Sequence, residues 1–284
     1  MYTTILEPHQ LAAHLNDPNW RILDARFDLA NPGWGHATYL DSHIPTALYA
    51  HLDHDLSGPP TPDNLGRHPI PPLNSLHALF TRWGITPHTQ VVTYDSTGGM
   101  IAVRIWWLLH WLGHPRVALL NGGWDNWLAH ALPVAAGPEP LPQPADPPFI
   151  GQPHPAYTAT FTDLVTRPPT ATLIDARAAE RYRGETEPID PIAGHIPGAL
   201  NRPWQANLDH NNRFKPPHIL RAEFETLLNG QPADQAIVYC GSGVSACHHL
   251  LALTIAGLPI AKLYPGSWSD YSARPGVTVA LGED

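Results

Sequence analysis

Four short segments of this chain occur twice, in the same order. Leu23-Asp24-Ala25-Arg26 returns as Ile174-Asp175-Ala176-Arg177, 151 positions on, and His43-Ile44-Pro45 returns as His195-Ile196-Pro197, 152 positions on. Val92-Thr93-Tyr94-Asp95 becomes Ile237-Val238-Tyr239-Cys240, and Asn121-Gly122-Gly123-Trp124 becomes Pro265-Gly266-Ser267-Trp268. Offsets that drift only from 152 to 144 identify a duplication. The 284 residues then divide into two units of ordinary domain size that share one fold.

The densest cluster among the 33 prolines runs from Gly137 to Pro155. Proline lacks an N–H and fixes φ, so such a run cannot continue a helix or an inner strand and reads as a stiff, extended spacer. This predicts domains over 1–137 and 157–284 with a linker over 138–156. Strands are expected over 21–24, 90–94 and 116–119, and again over 172–175, 235–239 and 262–264. Helices are expected over 74–83 and 100–112, then over 217–228 and 245–256. Strands alternating with helices give an α/β fold: two tandem units, each a mainly parallel sheet flanked by helices.

With 43% hydrophobic residues, 10 Trp and 14% charged residues, the chain has the apolar mass of a folded protein. The net charge of −9, without a run of like charges, excludes a phosphate-tracking surface and therefore nucleic acid as a partner. The most apolar stretch, 101–113, is interrupted by Arg104 and His110 and falls short of the ~20 residues of a membrane span, so it reads as a buried helix. The first residues show no cationic run followed by an apolar one, which points to the cytoplasm. Two cysteines, Cys240 and Cys247, are too few for a disulfide framework and are expected as free thiols.

In a parallel sheet, ligands sit beyond the carboxyl ends of the strands. Cys240 follows the strand ending at Tyr239, in the loop Cys240-Gly241-Ser242-Gly243-Val244-Ser245, with a helix expected to open near Ala246. Glycines in such a loop let successive N–H groups turn inward and form an anion-binding nest, a setting that favours a nucleophilic thiolate. Cys247 lacks this setting and reads as packing, with a Cys240–Cys247 redox disulfide as the alternative. The duplication supplies an internal control: Asp95 holds the Cys240 position in the first copy, so that copy lacks the nucleophile. Residues shared by both copies, Asp24 with Arg26, Asp175 with Arg177, and His43 with His195, are expected to build the fold. Arg181, whose counterpart is Ala30, is special to the second copy; the run 181–187 reads either as a solvated mixed-charge loop or as the carrier of a guanidinium suited to bidentate binding of a carboxylate or sulfonate-like group.

Together, the repeated Asp-Ala-Arg and His-Ile-Pro segments, Arg181-Tyr182-Arg183-Gly184, the Cys240 loop and Pro265-Gly266-Ser267-Trp268-Ser269 resemble the tandem rhodanese sulfurtransferases over nearly the whole chain. The resemblance implies two rhodanese-like domains, an inactive first copy, a catalytic cysteine at Cys240 and a site between the domains. Within the family, Cys240 to Ala246 is similar to the loop of mercaptopyruvate enzymes, whereas thiosulfate enzymes carry basic residues there; a neutral loop offers less charge to a dianion. The same resemblance implies that Ser242 works with Asp53 and His68, and that Arg181 and loop residues Gly241, Gly243, Val244 and Ser245 bind the donor. One departure stands out. Many mercaptopyruvate enzymes have a second arginine about nine residues after the one matched by Arg181, where this chain reads Ile189-Asp190-Pro191-Ile192.

The expected reaction is ping-pong sulfur transfer from 3-mercaptopyruvate through a Cys240 persulfide to a thiol, cyanide or a thioredoxin-like protein, without metal or organic cofactor. Two alternatives stay open: a thiosulfate-preferring enzyme, and a persulfide carrier or adaptor without turnover. A cysteine-dependent phosphatase would need an arginine six residues after the cysteine, and that position is Ala246.

Overall fold

A computed structural model describes residues 1–168 and 170–283 of the chain, so the expected domain end at Asp284 lies outside the described residues. The chain forms two units. The first comprises Met1–Ser57, Pro71–His154 and His210–Phe214, and the second Gly58–Ile70, Pro155–Asp209 and Lys215–Asp284.

The first unit runs β1 (Ile5–Leu6), α1 (Pro8–Ala12), β2 (Trp20–Asp24), α2 (Trp34–Asp41), β3 (Leu48–Tyr49), α3 (Leu73–Arg82), β4 (Gln90–Tyr94), α4 (Ala102–Trp111), β5 (Val117–Leu120) and α5 (Gly123–Ala129). Its five strands lie in the order β1-β5-β4-β2-β3, all parallel. Every residue of the central strand β4 is buried, as a parallel strand covered on both faces requires. Residues 102–109 of α4 are buried too, with Trp106 and Trp107 wholly inside.

The second unit runs α6 (Phe161–Val165), β6 (Leu173–Asp175), α7 (Ala179–Tyr182), β7 (Ala199–Asn201), α8 (Pro217–Leu228), β8 (Ile237–Tyr239), α9 (Cys247–Ile255), β9 (Lys262–Leu263) and α10 (Ser267–Tyr271). The order β7-β6-β8-β9, again parallel, reproduces β3-β2-β4-β5 of the first unit. Thr158 bridges to Leu263 in parallel, where β1 pairs with β5 in the other copy. The predicted α/β fold with two parallel sheets is present. The expected strand over 235–239 is shorter, because Ala233–Gln235 forms a 3-10 turn. Strands of two or three residues, such as β1, β3 and β7, carry too few side chains to show a period in sequence.

The residues common to both copies are structural. Arg26 donates from Nε and Nη2 to the Asp24 carboxylate, with Nη2 at 2.6 Å, and Arg177 grips Asp175 in the same way. Each guanidinium lies 4.6 Å from the ring of the repeated tryptophan, Trp124 or Trp268. His43 stacks on Tyr39 and His195 on Tyr182, each Nδ1–H donating to the carbonyl of the tyrosine beneath it.

Two features depart from the sequence expectation. Residues 138–154 are not a spacer but a strap on the first unit, where the N–H groups of Ala145, Phe149, Gln152 and His154 donate to the carbonyls of Thr81, Ile85, Leu112 and Trp111. These amides find partners although the prolines between them have no N–H to offer. Residues 58–70, numbered within the first copy, belong to the second unit. Leu65 N–H donates to Asp270 Oδ1 at 2.8 Å, Arg67 N–H to Ser269 Oγ at 3.2 Å, and Arg274 Nη2 to the Asp63 carbonyl at 2.8 Å. Among the described residues no helix is long and apolar enough to cross a membrane.

Candidate active site

Cys240 is the first residue after β8 and is 1% exposed. Its N–H donates to Ser267 Oγ at 3.1 Å, and its carbonyl accepts from Trp268 N–H at 2.9 Å, so α10 fixes the backbone on both sides of the sulfur. The loop then curls until Gly243 N–H meets Cys240 Sγ at 3.2 Å. That curl needs glycine. Gly243 has φ +79°, and a Cβ there would lie 2.3 Å from the Pro265 carbonyl oxygen. The helix α9 begins at Cys247, one to two residues after the opening expected at 245–246; Cys247 is fully buried, and its Sγ donates to the Gly243 carbonyl at 3.5 Å, a packing position under the loop. Neither cysteine is in a disulfide.

The equivalent loop of the first unit shows what these amides can hold. The Asp95 carboxylate accepts N–H groups from Thr97, Gly99, Ile101 and Ala102 at 2.8 to 2.9 Å. Burial pushes the Asp95 carboxyl up despite these four donors. Trp124 N–H donates to the Asp95 carbonyl, as Trp268 N–H does to that of Cys240. A built-in carboxylate therefore fills the first loop.

Segment 58–70 brings two side chains to the Cys240 loop. His68, 6% exposed, places Nδ1 2.7 Å from Oγ of Ser242, itself 7% exposed. Arg67 extends past Gly241: a Cβ built on Gly241 would lie 3.2 Å from Arg67 Nη2 and 3.5 Å from Arg181 Nη1. The other edges of both guanidinium groups are anchored. Arg67 Nη1 donates to Asp190 Oδ1, while Arg181 Nη2 donates to Glu187 Oε1 at 2.6 Å and to Asp190 Oδ2 at 3.3 Å. Burial pushes the Asp190 carboxyl up, more than the two arginines pull it down. Burial also opposes charge on Glu187, but there the Arg181 hydrogen bond and the N–H groups of Asp190 and Ile189 prevail, and its carboxyl sits below the usual value.

The sequence-predicted residues Cys240, Gly241, Ser242, Gly243, His68 and Arg181 thus meet around one loop in the second unit. Val244 is buried and Ser245 half-buried on the turn into α9. Asp53 lies in the first unit, on the turn after β3, with its N–H donating to His51 Nδ1 at 3.1 Å. Sequence reasoning missed Arg67, Asp190 and Ser267. The signal for the first two was the acidic residue at the position where an arginine was expected. Among the described residues no group of three or more His, Cys, Asp or Glu side chains is placed to hold a metal ion.

The family described as "Rhodanese-like domain" matches residues 7–130 and 159–274. The chain is 45% identical over 283 residues to a probable 3-mercaptopyruvate sulfurtransferase of Pseudomonas aeruginosa, covering 98% of each. It is 38% identical over 270 residues to a putative thiosulfate sulfurtransferase of Mycobacterium tuberculosis, covering 92% of this chain and 90% of that one. The solved structure of 3-mercaptopyruvate sulfurtransferase from Leishmania major superposes with a TM-score of 0.83 at 30% identity, over 97% of this chain and 76% of the other. The chain belongs to the rhodanese-like family, with one copy of the family's domain on each side of residues 131–158.

Proposed function

We propose that this protein is a sulfurtransferase that moves sulfur from 3-mercaptopyruvate to a thiol, cyanide or thioredoxin-like acceptor through a persulfide on Cys240. The observation that carries the reading is the neutral loop from Cys240 to Ala246, which joins a buried thiol with a loop amide on its sulfur to a Ser242–His68 pair.

In the first half-reaction the Cys240 thiolate attacks the donor sulfur. An S–S bond forms, the donor's C–S bond breaks, and its electron pair leaves on carbon as the enolate of pyruvate. The proton from the donor's thiol ends on that enolate, giving pyruvate and a Cys240 persulfide. Ser242 and His68 handle this proton transfer, and Arg181 orients the donor's carboxylate. In the second half-reaction the acceptor's nucleophile takes the outer sulfur and Cys240 leaves as thiolate; with cyanide the product is thiocyanate. The family resemblance assigns Asp53 to the same proton-transfer step, so Asp53→Asn should lower turnover. The absence of a thiol nucleophile in the Asp95 loop supports an inactive first copy, and two cysteines outside any disulfide suit a reducing compartment such as the cytoplasm.

A thiosulfate preference is the second reading, favoured by the similarity to the M. tuberculosis protein. Initial rates with mercaptopyruvate and with thiosulfate, using cyanide as common acceptor, decide between them. The higher kcat/KM is expected with mercaptopyruvate; a clear preference for thiosulfate overturns the donor assignment. A single round of loading without steady turnover would instead identify a carrier or adaptor.

A further inference from the structure

We propose that Arg67 supplies a second guanidinium for the donor's carboxylate, its Nη2 and Arg181 Nη1 forming a two-point clamp over Gly241 that Asp190 holds in position. The inference deepens the donor reading above and rests on it for the identity of the ligand.

The two arginines arrive from distant parts of the chain, one on segment 58–70 and the other on α7, yet they are used alike. Each commits one edge to an acid: Arg67 Nη1 to Asp190, and Arg181 Nε and Nη2 to Glu187 and Asp190. Both also face Gly241, from whose ideal Cβ Arg67 Nη2 would lie 3.2 Å and Arg181 Nη1 and Nη2 3.5 and 3.7 Å. Among the described residues the hydrogen bonds of the two guanidinium groups run from Arg67 Nη1 and from Arg181 Nε and Nη2, which leaves Arg67 Nη2 and Arg181 Nη1 to a ligand. Two cationic N–H groups converging on one spot suit a planar, two-oxygen anion. Asp190 contacts both guanidinium groups, and with its side chain 3% exposed it is a positioning residue with little freedom to move.

The glycines fit this use. Gly241 has no positive φ, so its backbone does not demand glycine; what the missing side chain leaves is room, because a Cβ would reach into the space beneath both nitrogens. At Gly66, beside Arg67, a Cβ would lie 2.7 Å from the Gly266 carbonyl oxygen, so only glycine lets the segment approach closely enough to deliver Arg67. An acidic residue at 190 also explains how the chain manages without the arginine expected there. The charge pattern is exchanged: the cation comes from position 67, and position 190 supplies the anion that steers it.

The test combines kinetics with binding of pyruvate, a 2-oxo acid that lacks the transferable sulfur. Arg67→Gln should raise KM for mercaptopyruvate tenfold to a hundredfold while kcat changes no more than a few fold, and should weaken pyruvate binding, measured by calorimetry, by a similar factor. Arg67→Lys keeps the charge without the fork and should fall between the two. The double variant Arg67→Gln/Asp190→Arg should recover a large part of the lost affinity. If Arg67→Gln keeps both KM and pyruvate affinity within twofold of wild type, the clamp is wrong while the sulfurtransferase reading stands. If wild-type protein fails to turn over mercaptopyruvate, the functional reading falls, and pyruvate binding alone decides whether Arg67 holds a carboxylate.

Discussion

His68 and Ser242 are 174 residues apart in sequence, yet Nδ1 of one lies 2.7 Å from Oγ of the other, both nearly sealed from solvent. The contact exists because residues 58–70 fold with the second unit, anchored through Asp270, Ser269 and Arg274. It places a titratable ring two residues along the loop from the proposed nucleophile. A hydroxyl–imidazole pair there can carry a proton, which Cys240 alone cannot do for both donor and leaving group.

Replacing either member of that pair should slow sulfur transfer without unfolding the protein. We expect Ser242→Ala and His68→Ala each to lower kcat/KM for mercaptopyruvate by about 10²-fold or more, at the low end of what positioned acid–base groups contribute. The double variant should cost little beyond either single one, because the two act as one unit. Fully additive losses in steady-state assays would show that they act independently.

The buried Asp–Arg pairs should behave differently. Asp175→Asn takes from Arg177 the carboxylate gripped by its Nε and Nη2, leaving Glu187 Oε2 3.3 Å from its Nη1; breaking such a buried pair typically costs about 3–5 kcal/mol. Asp24→Asn should do comparable damage in the first unit, although that copy has no cysteine. Chemical denaturation checks this, and a large effect from one substitution with none from the other would contradict a shared structural role.

Acid should weaken the fold well before the carboxylates titrate. His249 Nε2–H donates to the Arg202 carbonyl at 2.7 Å, and Nδ1 accepts from Asn207 Nδ2 at 2.8 Å, so the neutral ring is fully satisfied. Burial, aided by the nearby Arg202 charge, pushes its pKa down to about 3. The unfolded chain takes up that proton near pH 6.5 and the folded one does not, so stability falls as pH drops from about 6.5 toward 3, by about 1.4 kcal/mol per pH unit for this group. Burial pushes His110 and His114 down as well, with the same sign. A lower urea midpoint at pH 5.5 than at pH 7.5 is expected; equal midpoints would contradict it.

Gly243→Ala should cost more than an ordinary surface change. The new Cβ would collide with the Pro265 carbonyl in a left-handed backbone conformation. Because Gly243 N–H is the group that meets Cys240 Sγ, we expect the variant to lose most of its activity while the distant helix α8 keeps its signal in circular dichroism and hydrogen exchange. Wild-type turnover in this variant would show that the loop's curl is dispensable.

The long central strands, the apolar helix α4 and the duplication were legible because each rests on many residues in a regular pattern. The central strand β4, whose five residues are all buried, was read to its bounds over 90–94. Cys240 was legible because a glycine-rich turn after a buried strand has few uses. Arg67 was not, because its meaning depends on where segment 58–70 docks, and that is decided by single hydrogen bonds to Asp270 and Ser269 that leave no periodic trace. The proline run misled for a similar reason: proline predicts extended backbone, but not what the amides between the prolines will pair with.

The account depends most on where sulfur is held. Intact-mass spectra of protein treated with mercaptopyruvate in the absence of acceptor should show one added sulfur atom, retained in Cys247→Ser, absent in Cys240→Ser and discharged by cyanide. An adduct that survives in Cys240→Ser, or no adduct in protein that turns over, would contradict it.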